Sequence, residues 1–351
     1  MKVLNEPGEN PYTSARTTIT AGERLGFRPG SIIRQTPVQY FFNGGGLGDY
    51  INYSAAIVWL SENCPWILGT VFTPSFFVPL LRRILSGKLR WQVLPGEQIT
   101  YDRSICKLAP ELELNGTNIS PQLLNATGAH LMDLGFAYYA NKNAAPAGWT
   151  LPALNFSEEE LPLQLRKLRG QYVVFTPGGV TPTRTVFGRH LNPIINFTVE
   201  QGLTPIFLGK SEIGGSVFPK FASDIDYGKG IDLRDKTDLL QAAAIMQHSL
   251  CVTGVDNGLL HLAALTDANI AFGYTITGPA FRGPRRRAGV TKNIEVARKK
   301  LPCINCQDHI KMLINHSFHS CLYGDTKCVD LLFEGQGEKW KLAISEFNKK
   351  P

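Results

Sequence analysis

The apolar positions of this chain fall into short continuous runs, separated by longer stretches in which apolar residues recur at helical spacing. Continuous runs are typical of strands buried in a parallel sheet, and the helical stretches are typical of helices packed on that sheet. In the first half the pattern predicts a strand, a glycine-rich turn and a helix over residues 37–57, then a strand over 60–72, a helix over 76–85 and a strand at 91–94. This alternation predicts an α/β fold.

A second alternating series begins at the apolar run 172–177. Further strands are predicted at 204–209 and 250–254, with helices near 191–201 and 237–247. Glycines follow these strands, which lets the backbone approach a ligand closely at each turn. Because the chain has 351 residues, the two series predict two Rossmann-like, doubly wound domains.

The boundaries of these domains are predicted from composition and periodicity. Ala, Pro and Gly cluster between Asn141 and Leu163, as is typical of a linker. Near the end of the chain, Trp340, Ile344 and Phe347 share one face of a predicted helix, which should therefore dock on the rest of the protein. The expected parts are an N-terminal domain over residues 1–160, a C-terminal domain over 161–333 and a terminal helix over 334–351.

Composition excludes several classes of protein. Hydrophobic residues make up 43% of the chain, as in ordinary globular proteins. No run of about 18 apolar residues is present that could form a transmembrane segment. Residues 1–36 are polar and lack the apolar core of a signal peptide. We therefore expect a cytoplasmic protein, and peripheral association with the inner face of a membrane stays open.

The most informative stretch is the apolar run 251–255 with the residues that follow it. The run ends in Asp256, Asn257 and Gly258, and a helical pattern that carries His261 then begins. A strand that ends in polar residues delivers them to the carboxyl edge of a parallel sheet, where open α/β folds bind ligands. Asn257 can cap the helix, whose start favours a phosphate through its N–H groups and its dipole. The alternative is a capped helix followed by an ordinary core histidine.

A glycine-rich turn near the N-terminus contains Gly44, Gly45, Gly46 and Gly48. Asp49 stands where a dinucleotide-binding fingerprint requires a later glycine, so a nicotinamide cofactor is disfavoured. A carboxylate at this position repels a pyrophosphate but can accept a proton from a substrate hydroxyl. The alternative is a first-turn acid that is favoured by the helix dipole alone.

A resemblance to a known family rests on the order of three short motifs. They are Gly48-Asp49, then Pro177-Gly178-Gly179 with Arg184, and then Asp256-Asn257-Gly258 with His261. By these motifs the chain resembles the family 9 glycosyltransferases, the heptosyltransferase type, over most of residues 38–330. The resemblance implies the GT-B fold, in which two Rossmann-like domains face a central cleft and a C-terminal helix crosses back to the first domain. It also implies that the N-terminal domain binds the acceptor and that the C-terminal domain binds the nucleotide sugar.

The implied reaction moves a sugar from a nucleotide-diphosphate-sugar, with an ADP-sugar favoured, to an acceptor hydroxyl, with inversion and without a catalytic metal. In this scheme Asp49 is the general base, Arg184 neutralises the diphosphate and Glu212 bonds the ribose. Arg184 and Glu212 can equally be ordinary surface residues. The donor-binding residues expected are Gly178, Gly179, Arg184, Glu212, Asp256, Asn257, Gly258 and His261, and the acceptor-binding residues expected are Gly46, Gly48 and Asn52.

A basic cluster lies late in the chain. The formal net charge is +7, from 36 Lys and Arg against 29 Asp and Glu, and the cluster holds much of the excess. Its members are Arg282, Arg285, Arg286 and Arg287, followed by Arg298, Lys299 and Lys300. Such a cluster can bind an anionic acceptor such as a phosphorylated glycolipid or a nucleic acid, a membrane surface or the donor phosphates, or it can be a solvated loop. Two other functions stay open: a glycosyltransferase that acts on a modified base in DNA or RNA, and a non-catalytic protein that binds a sugar nucleotide.

The chain also carries a group of cysteines near its C-terminus, Cys303, Cys306, Cys321 and Cys328. A C-x2-C pair followed by two more cysteines is the ligand set of a closed structural zinc site, and an intervening histidine can replace one thiolate. Cytosolic thiols stay reduced, which favours a metal over disulfides. Reduced buried cysteines and a disulfide are the alternatives. The other three cysteines, Cys64, Cys106 and Cys251, have the pattern of core residues.

Overall fold

The computed structural model describes most of the chain and divides it into two compact units. The described residues are 36–42, 46–96, 112–114, 117–119, 130–140, 144–179, 182–211, 224–297, 299–306, 327–334 and 337–349. Those up to Ile119, together with Leu131–Trp149, form the first unit, and His130 with those from Thr150 onward forms the second. Among them, no helix has both the length and the apolar character needed to cross a membrane. The domain boundaries expected at residues 160 and 333 stay predictions.

The first unit contains a parallel sheet with the strand order β1-β2-β3. Its strands are β1 (Thr36–Phe41), β2 (Ile67–Thr73) and β3 (Trp91–Pro95), with a separate antiparallel pair β4 (Leu112–Leu114) and β5 (Thr117–Ile119), and its helices are α1 (Leu47–Asn63), α2 (Val78–Ile84) and α3 (Leu131–Tyr139). The prediction of a strand over 60–72 is wrong for its first part: the strand begins only at Ile67, because α1 continues to Asn63 and the Cys64 N–H still donates to the Leu60 oxygen.

Helix α1 is buried along almost its whole length and forms the core of the first unit. Ala55 and Ala56 are fully buried, and helix α3 packs closely against the same helix. A Cβ atom at Gly135 of α3 would lie 3.0 Å from the Cα atom of Tyr53, so a larger residue there would push the two helices slightly apart. Packing against α3 therefore holds α1, whose acidic first turn follows β1 in the chain.

The second unit is built on a six-stranded parallel sheet. Its strands are β6 (Tyr172–Thr176), β7 (Thr204–Phe207), β8 (Ile231–Asp232), β9 (Cys251–Val255), β10 (Ile270–Tyr274) and β11 (Thr291–Glu295), and its helices are α4 (Leu163–Arg166), α5 (Gly188–Glu200), α6 (Leu239–Gln247), α7 (Gly258–Ala263), α8 (Pro279–Arg282), α9 (Lys327–Phe333) and α10 (Gly337–Asn348). The strands and helices predicted in this half are all present, and β8, β10 and β11 complete the sheet. The α/β class with parallel sheets is thus confirmed.

The strands lie in the order β11-β10-β9-β6-β7-β8, and the side on which the chain adds new strands changes between β6 and β9. The chain builds outward from β6 to β8 and then returns to add β9, β10 and β11 on the other side. Loops that leave neighbouring strands in opposite directions open a crevice at such a switch point, which is where doubly wound sheets bind ligands. The two strands come very close here: a Cβ atom at Gly254 would lie 2.2 Å from Thr176 Oγ1.

The terminal helix α10 docks on the second unit, as its apolar face predicts. Trp340 and Ile344 are buried in the core of this unit, and α10 packs against α5. Gly273 in β10 makes room for it, since a Cβ atom there would lie 2.9 Å from the Trp340 ring. The expected crossing of this helix back to the first domain stays a prediction.

Candidate functional site

Three loops meet at the carboxyl edge of the second sheet, one each after β6, β9 and β10. They begin at Pro177, Asp256 and Thr275, and β9 lies between β6 and β10. The first two of these loops were singled out by the sequence. The third was not, although it repeats the same signal: a buried apolar strand that ends in polar residues and a glycine, here Gly278.

Asn257 is the N-cap of helix α7, as predicted. Its Oδ1 accepts hydrogen bonds from the N–H groups of Leu259 at 2.9 Å and Leu260 at 3.2 Å. Its Nδ2 donates to the backbone oxygen of Thr176 at 3.0 Å and to the Thr176 hydroxyl at 3.2 Å. The side chain thus caps a helix and ties it to the neighbouring strand. A Thr or Ser cap lacks the amide donor that makes the second connection.

Asp256 is fully buried at the end of β9. Its Oδ2 accepts a hydrogen bond from the Thr277 hydroxyl at 2.8 Å and lies 3.5 Å from Arg184 Nε. Its Oδ1 lies 3.4 Å from His261 Nε2. A buried carboxylate is stable only when it is paired and hydrogen-bonded; Thr277 and Arg184 meet this need at Oδ2, and His261 lies beside Oδ1.

The charge state of Asp256 follows from these neighbours. Burial by itself raises the pKa of a carboxyl group, but the Arg184 guanidinium opposes burial most strongly, and His261 and Arg282 act in the same direction as Arg184. The pKa of the Asp256 carboxyl therefore lies well below its ordinary value of 3.8. At neutral pH the side chain is an anion inside the protein.

Arg184 is buried, contrary to the alternative of an ordinary surface residue. It ends the short 3₁₀ helix Pro182–Arg184 that follows β6, and its Nε donates to the backbone oxygen of Asp256 at 2.9 Å. Gly179 permits this arrangement, because a Cβ atom there would lie 2.2 Å from the Arg184 backbone oxygen. The glycine loop after β6 and the arginine are therefore one packed unit.

Two threonines and an arginine complete the arrangement, and the sequence did not single out the threonines. The Thr277 hydroxyl binds Asp256, and the Thr275 hydroxyl donates to the backbone oxygen of Thr183 at 2.7 Å. Arg282 is buried, and its positive charge helps to lower the pKa of the Asp256 carboxyl group. The site thus contains two arginines around one carboxylate, which leaves a net positive charge.

The basic cluster is divided between the interior and the surface. Arg286 donates to the backbone oxygens of Thr266 and Ala268, both at 2.7 Å, and burial lowers its pKa to about 10. Arg285 is half-buried and Arg287 is exposed. The four arginines therefore do not form one continuous exposed basic surface, because Arg282 and Arg286 are held by the interior. Arg298 lies outside the described residues, and Lys299 and Lys300 are exposed.

The remaining predicted donor residues have different outcomes. Gly178 and Gly258 are half-buried at the starts of their loop and helix, and His261 is buried, with its ring edge-on to Phe272 at a centroid distance of 5.7 Å. Glu212 lies outside the described residues. Except for Glu212, the predicted donor residues thus lie at the carboxyl edge of the second sheet.

In the first unit, Asp49 occupies the first turn of α1 and is half-buried. Its Oδ2 accepts a hydrogen bond from the Gly46 N–H at 2.6 Å, which is the contact expected of a first-turn acid that caps its own helix. Gly48 is buried in the same turn, and Asn52 is buried one turn later, where its Nδ2 donates to the Gly48 backbone oxygen at 2.7 Å. The carboxylate is thus held in one orientation at the carboxyl edge of the first sheet.

The cysteine group is described only in part. Cys303 and Cys306 are half-buried, Cys328 is buried in α9, and Cys321 lies outside the described residues. Within the described ranges, no three His, Cys, Asp or Glu side chains are grouped as a metal site, so the zinc site stays a prediction. Cys64 and Cys251 are core residues as expected, and burial raises the pKa of the Cys251 thiol to about 12.

Comparison with known proteins bears on the family of the chain. The model of glycosyltransferase family 9 (heptosyltransferase) matches residues 127–314, which is more than half of the chain. This range contains the three loops of the site. No curated protein matches the chain.

Several solved structures share the fold. The iron-containing dodecameric glycosyltransferase TibC from enterotoxigenic E. coli H10407 matches with a TM-score of 0.63 and 15% identity over 91% of this chain and 81% of that chain, and TibC has also been solved with ADP-D-β-D-heptose. The family 9 glycosyltransferase from Veillonella parvula DSM 2008 matches with a TM-score of 0.58 and 13% identity over 91% of this chain and 100% of that chain. E. coli ADP-heptose LPS heptosyltransferase II matches with a TM-score of 0.53 and 16% identity over 85% of this chain and 99% of that chain.

At these identities the structural likeness concerns the fold, which is the GT-B fold of glycosyltransferases. The family match concerns the sequence itself and spans the loops that hold Arg184, Asp256 and His261. The chain belongs to glycosyltransferase family 9, the heptosyltransferase family.

Proposed function

We propose that this protein transfers a sugar from a nucleotide-diphosphate-sugar to an acceptor hydroxyl, with ADP-heptose or a closely similar ADP-sugar as the donor. The observation that carries the proposal is the buried network of Arg184, Asp256 and His261 at the switch point of the second sheet. The choice of donor rests on family membership and on the ADP-heptose complex of the TibC neighbour.

The donor diphosphate is assigned to the positive charge of Arg184 and Arg282. Asp256 itself repels phosphate, so its part is to hold the Arg184 guanidinium by two contacts and to keep it in place when no ligand is bound. A charge fixed in advance stabilises a leaving diphosphate without reorganisation during the reaction. The start of α7 contributes less than the sequence implied, because Asn257 already accepts hydrogen bonds from two of its N–H groups.

Asp49 is proposed as the general base. Its carboxylate accepts a hydrogen bond from Gly46, which fixes its orientation, and it occupies the Gly-Asp position that is typical of the family. Removing the proton from the acceptor hydroxyl as that oxygen attacks the anomeric carbon gives direct displacement with inversion. In this scheme the arginines offset the charge on the leaving group, and no divalent cation takes part.

The acceptor is proposed to be anionic, with a phosphorylated glycolipid preferred over a nucleic acid. Non-specific binding of a nucleic acid needs several exposed cations, and Arg286, which donates to the backbone oxygens of Thr266 and Ala268, is not one of them, so the exposed cations of the described cluster are Arg287, Lys299 and Lys300. A lipid acceptor also agrees with the expectation of a cytoplasmic protein that associates peripherally with the inner face of a membrane. A non-catalytic role is disfavoured, because both the proposed base and the charged network are kept.

A structural metal at the cysteine group is part of the proposal. Cys303, Cys306, Cys321 and Cys328 supply four thiolates, a set that suits tetrahedral zinc or iron. The TibC neighbour is described as iron-containing. Elemental analysis of the purified protein should find about one equivalent of zinc or iron, and less in a Cys303→Ser, Cys306→Ser double variant. An equal metal content in the two proteins would remove this part of the proposal.

The proposed function is tested by a thermal-shift screen against sugars linked to ADP, GDP, UDP and CDP. A ligand that binds only the folded state stabilises it by about 2.7 kcal/mol at about 100 times its Kd. We expect ADP-heptose, and ADP alone more weakly, to raise the melting temperature of the wild-type protein, while the other series leave it unchanged. No rise with any of the four series would contradict a sugar-nucleotide donor.

A further inference from the structure

Asn305 has an unusual backbone conformation within the Cys303–Cys306 turn. Its φ angle is +58°, and among the described non-glycine residues only Asp235 shares a positive φ. Left-handed backbone is disfavoured for residues with a Cβ atom, although Asn tolerates it better than most. A conformation of this kind persists only where the surrounding contacts hold it.

The contacts that hold Asn305 come from the third loop of the candidate site. The Asn305 N–H donates to the backbone oxygen of Thr275 at 2.8 Å. Its side-chain amide faces two carbonyl oxygens, those of Thr275 and Thr277, so the amide is assigned with its nitrogen toward them, at 3.1 Å from each. One residue of the cysteine turn therefore fixes the backbone of both threonines.

These two threonines lead directly to the charged network. The Thr275 hydroxyl donates to the backbone oxygen of Thr183, which precedes Arg184. The Thr277 hydroxyl donates to Asp256 Oδ2 at 2.8 Å. A displacement of the 275–277 backbone would thus move the supports of Arg184 and Asp256 together.

We propose that Asn305 is a positioning residue of the donor site: it fixes Thr275 and Thr277 so that their hydroxyl groups hold Arg184 and Asp256 in the arrangement that binds a nucleoside diphosphate sugar. This inference rests on the proposed function. It gives the Cys303–Cys306 turn a direct connection to donor binding, in addition to any metal that the thiols hold.

The test is a double-mutant cycle with ADP-D-β-D-heptose binding measured by titration calorimetry on the full chain. Asn305→Gly keeps the left-handed backbone without strain and removes the amide. Thr277→Val removes the hydroxyl that contacts Asp256. Asn192→Ala is the matched control, because Asn192 also bridges two backbone groups, the Asp224 oxygen and the Asp226 N–H, but these lead away from the site.

We expect Asn305→Gly and Thr277→Val each to raise the Kd about threefold to tenfold, the loss typical of one or two hydrogen bonds. Because both act through one chain of contacts, the double variant should bind no more weakly than the weaker single variant. Asn192→Ala should bind like the wild type. Unchanged affinity in Asn305→Gly, or losses that multiply in the double variant, would overturn the inference. If the wild type itself does not bind ADP-heptose, the proposed function has failed instead.

Hydrogen exchange gives a second measurement that needs no variant at residue 305. In the wild type, donor binding should slow exchange in peptides that cover 299–306, because the Asn305 N–H donates to the 275–277 segment. The same protection should be lost in Thr277→Val. Equal exchange in this segment with and without ADP-D-β-D-heptose, at saturating concentration, would also overturn the inference.

Discussion

Arg184 Nε donates to the backbone oxygen of Asp256 at 2.9 Å and lies 3.5 Å from a carboxylate oxygen of the same residue. The arginine therefore contacts both the main chain and the side chain of its partner. Since both side chains are almost fully buried, the pair is part of the core as well as the centre of the proposed donor site. Changes at Arg184 should affect folding and donor binding together.

Removal of the Arg184 charge should destabilise the protein strongly. Arg184→Gln leaves the buried Asp256 carboxylate without its main counter-charge, and breaking a buried pair in this way costs about 3–5 kcal/mol. Arg189→Gln is the control, because Arg189 pairs with Asp330 at the surface, where an ion pair contributes about 1 kcal/mol or less. Urea unfolding measures both. Similar decreases in the free energy of unfolding of the two variants would show that the buried pair stabilises the fold no more than the surface pair.

Gly179→Ala should displace the Arg184 loop. The added Cβ atom would lie 2.2 Å from the Arg184 backbone oxygen, so the loop must shift. We expect the Kd for ADP-heptose to rise at least about tenfold, because a diphosphate contact depends on the position of the guanidinium. Gly337→Ala meets no atom within 4 Å and should bind normally. Normal binding by Gly179→Ala would separate this loop from the donor site.

The depressed pKa of Asp256 predicts a specific dependence of stability on pH. The folded-state pKa lies below the ordinary value of 3.8, so the ionised carboxylate stabilises the fold above that value. The contribution is lost as the pH falls toward the folded pKa. Asp256→Asn should therefore be clearly less stable than the wild type at pH 7, and the difference should shrink as the pH falls below about 5. Urea unfolding at pH 7 and at about pH 4, 3 and 2.5 measures it, and a difference that stays constant down to the lowest of these values would contradict the assigned charge state.

Much of the second half could be predicted from sequence, because its local and tertiary signals agree. The runs 172–177 and 251–255 are mainly apolar and are followed by glycine or capping residues, and both form central strands of a parallel sheet. The cap at Asn257 was predictable for the same reason, since a cap needs only its own helix. Its second connection, to Thr176, depends on which strand lies beside β9, and sequence spacing does not contain that information.

Other parts of the site could not be predicted, because the direction in which a side chain points depends on the tertiary structure. Arg282 and Arg286 belong to a run of basic residues that is compatible with solvent, phosphate or the interior. In the fold, the backbone oxygens of Thr266 and Ala268 accept hydrogen bonds from the Arg286 guanidinium. Thr277 was missed because a threonine after a strand is common, and its partner Asp256 is distant in sequence.

Asn257 should be more stabilising than the Thr that many helix caps use. Asn257→Thr keeps a cap oxygen but removes the amide that donates to Thr176, so we expect a loss of about 0.5–1.5 kcal/mol. Asn257→Ala removes the cap as well and should lose about 1 kcal/mol more. Urea unfolding of the three proteins gives the order. Equal stability of the Asn and Thr proteins would remove the cross-strand connection as a reason for this residue.

Asp49→Asn should separate chemistry from binding. The amide keeps the size of the side chain and can still accept the Gly46 hydrogen bond, but it cannot take a proton. We expect the rate of ADP release from ADP-heptose in the presence of acceptor to fall about 100-fold or more, the usual contribution of a general base. The Kd for ADP-heptose should stay within about twofold of the wild-type value, because removing the general base slows the chemical step and does not change donor binding. A Kd that rises with the rate unchanged would move Asp49 from the base role to binding.

The most direct test of the central claim is titration calorimetry of ADP-D-β-D-heptose into the wild type, Arg184→Lys and Arg189→Lys at the same pH and salt concentration. Lysine keeps the positive charge at both positions but cannot reproduce the two contacts that Arg184 makes with Asp256. The account predicts saturable binding to the wild type, an affinity at least about tenfold weaker in Arg184→Lys, and wild-type affinity in Arg189→Lys. Absence of binding to the wild type, or equal binding by all three proteins, would contradict a donor site at the switch point of the second sheet.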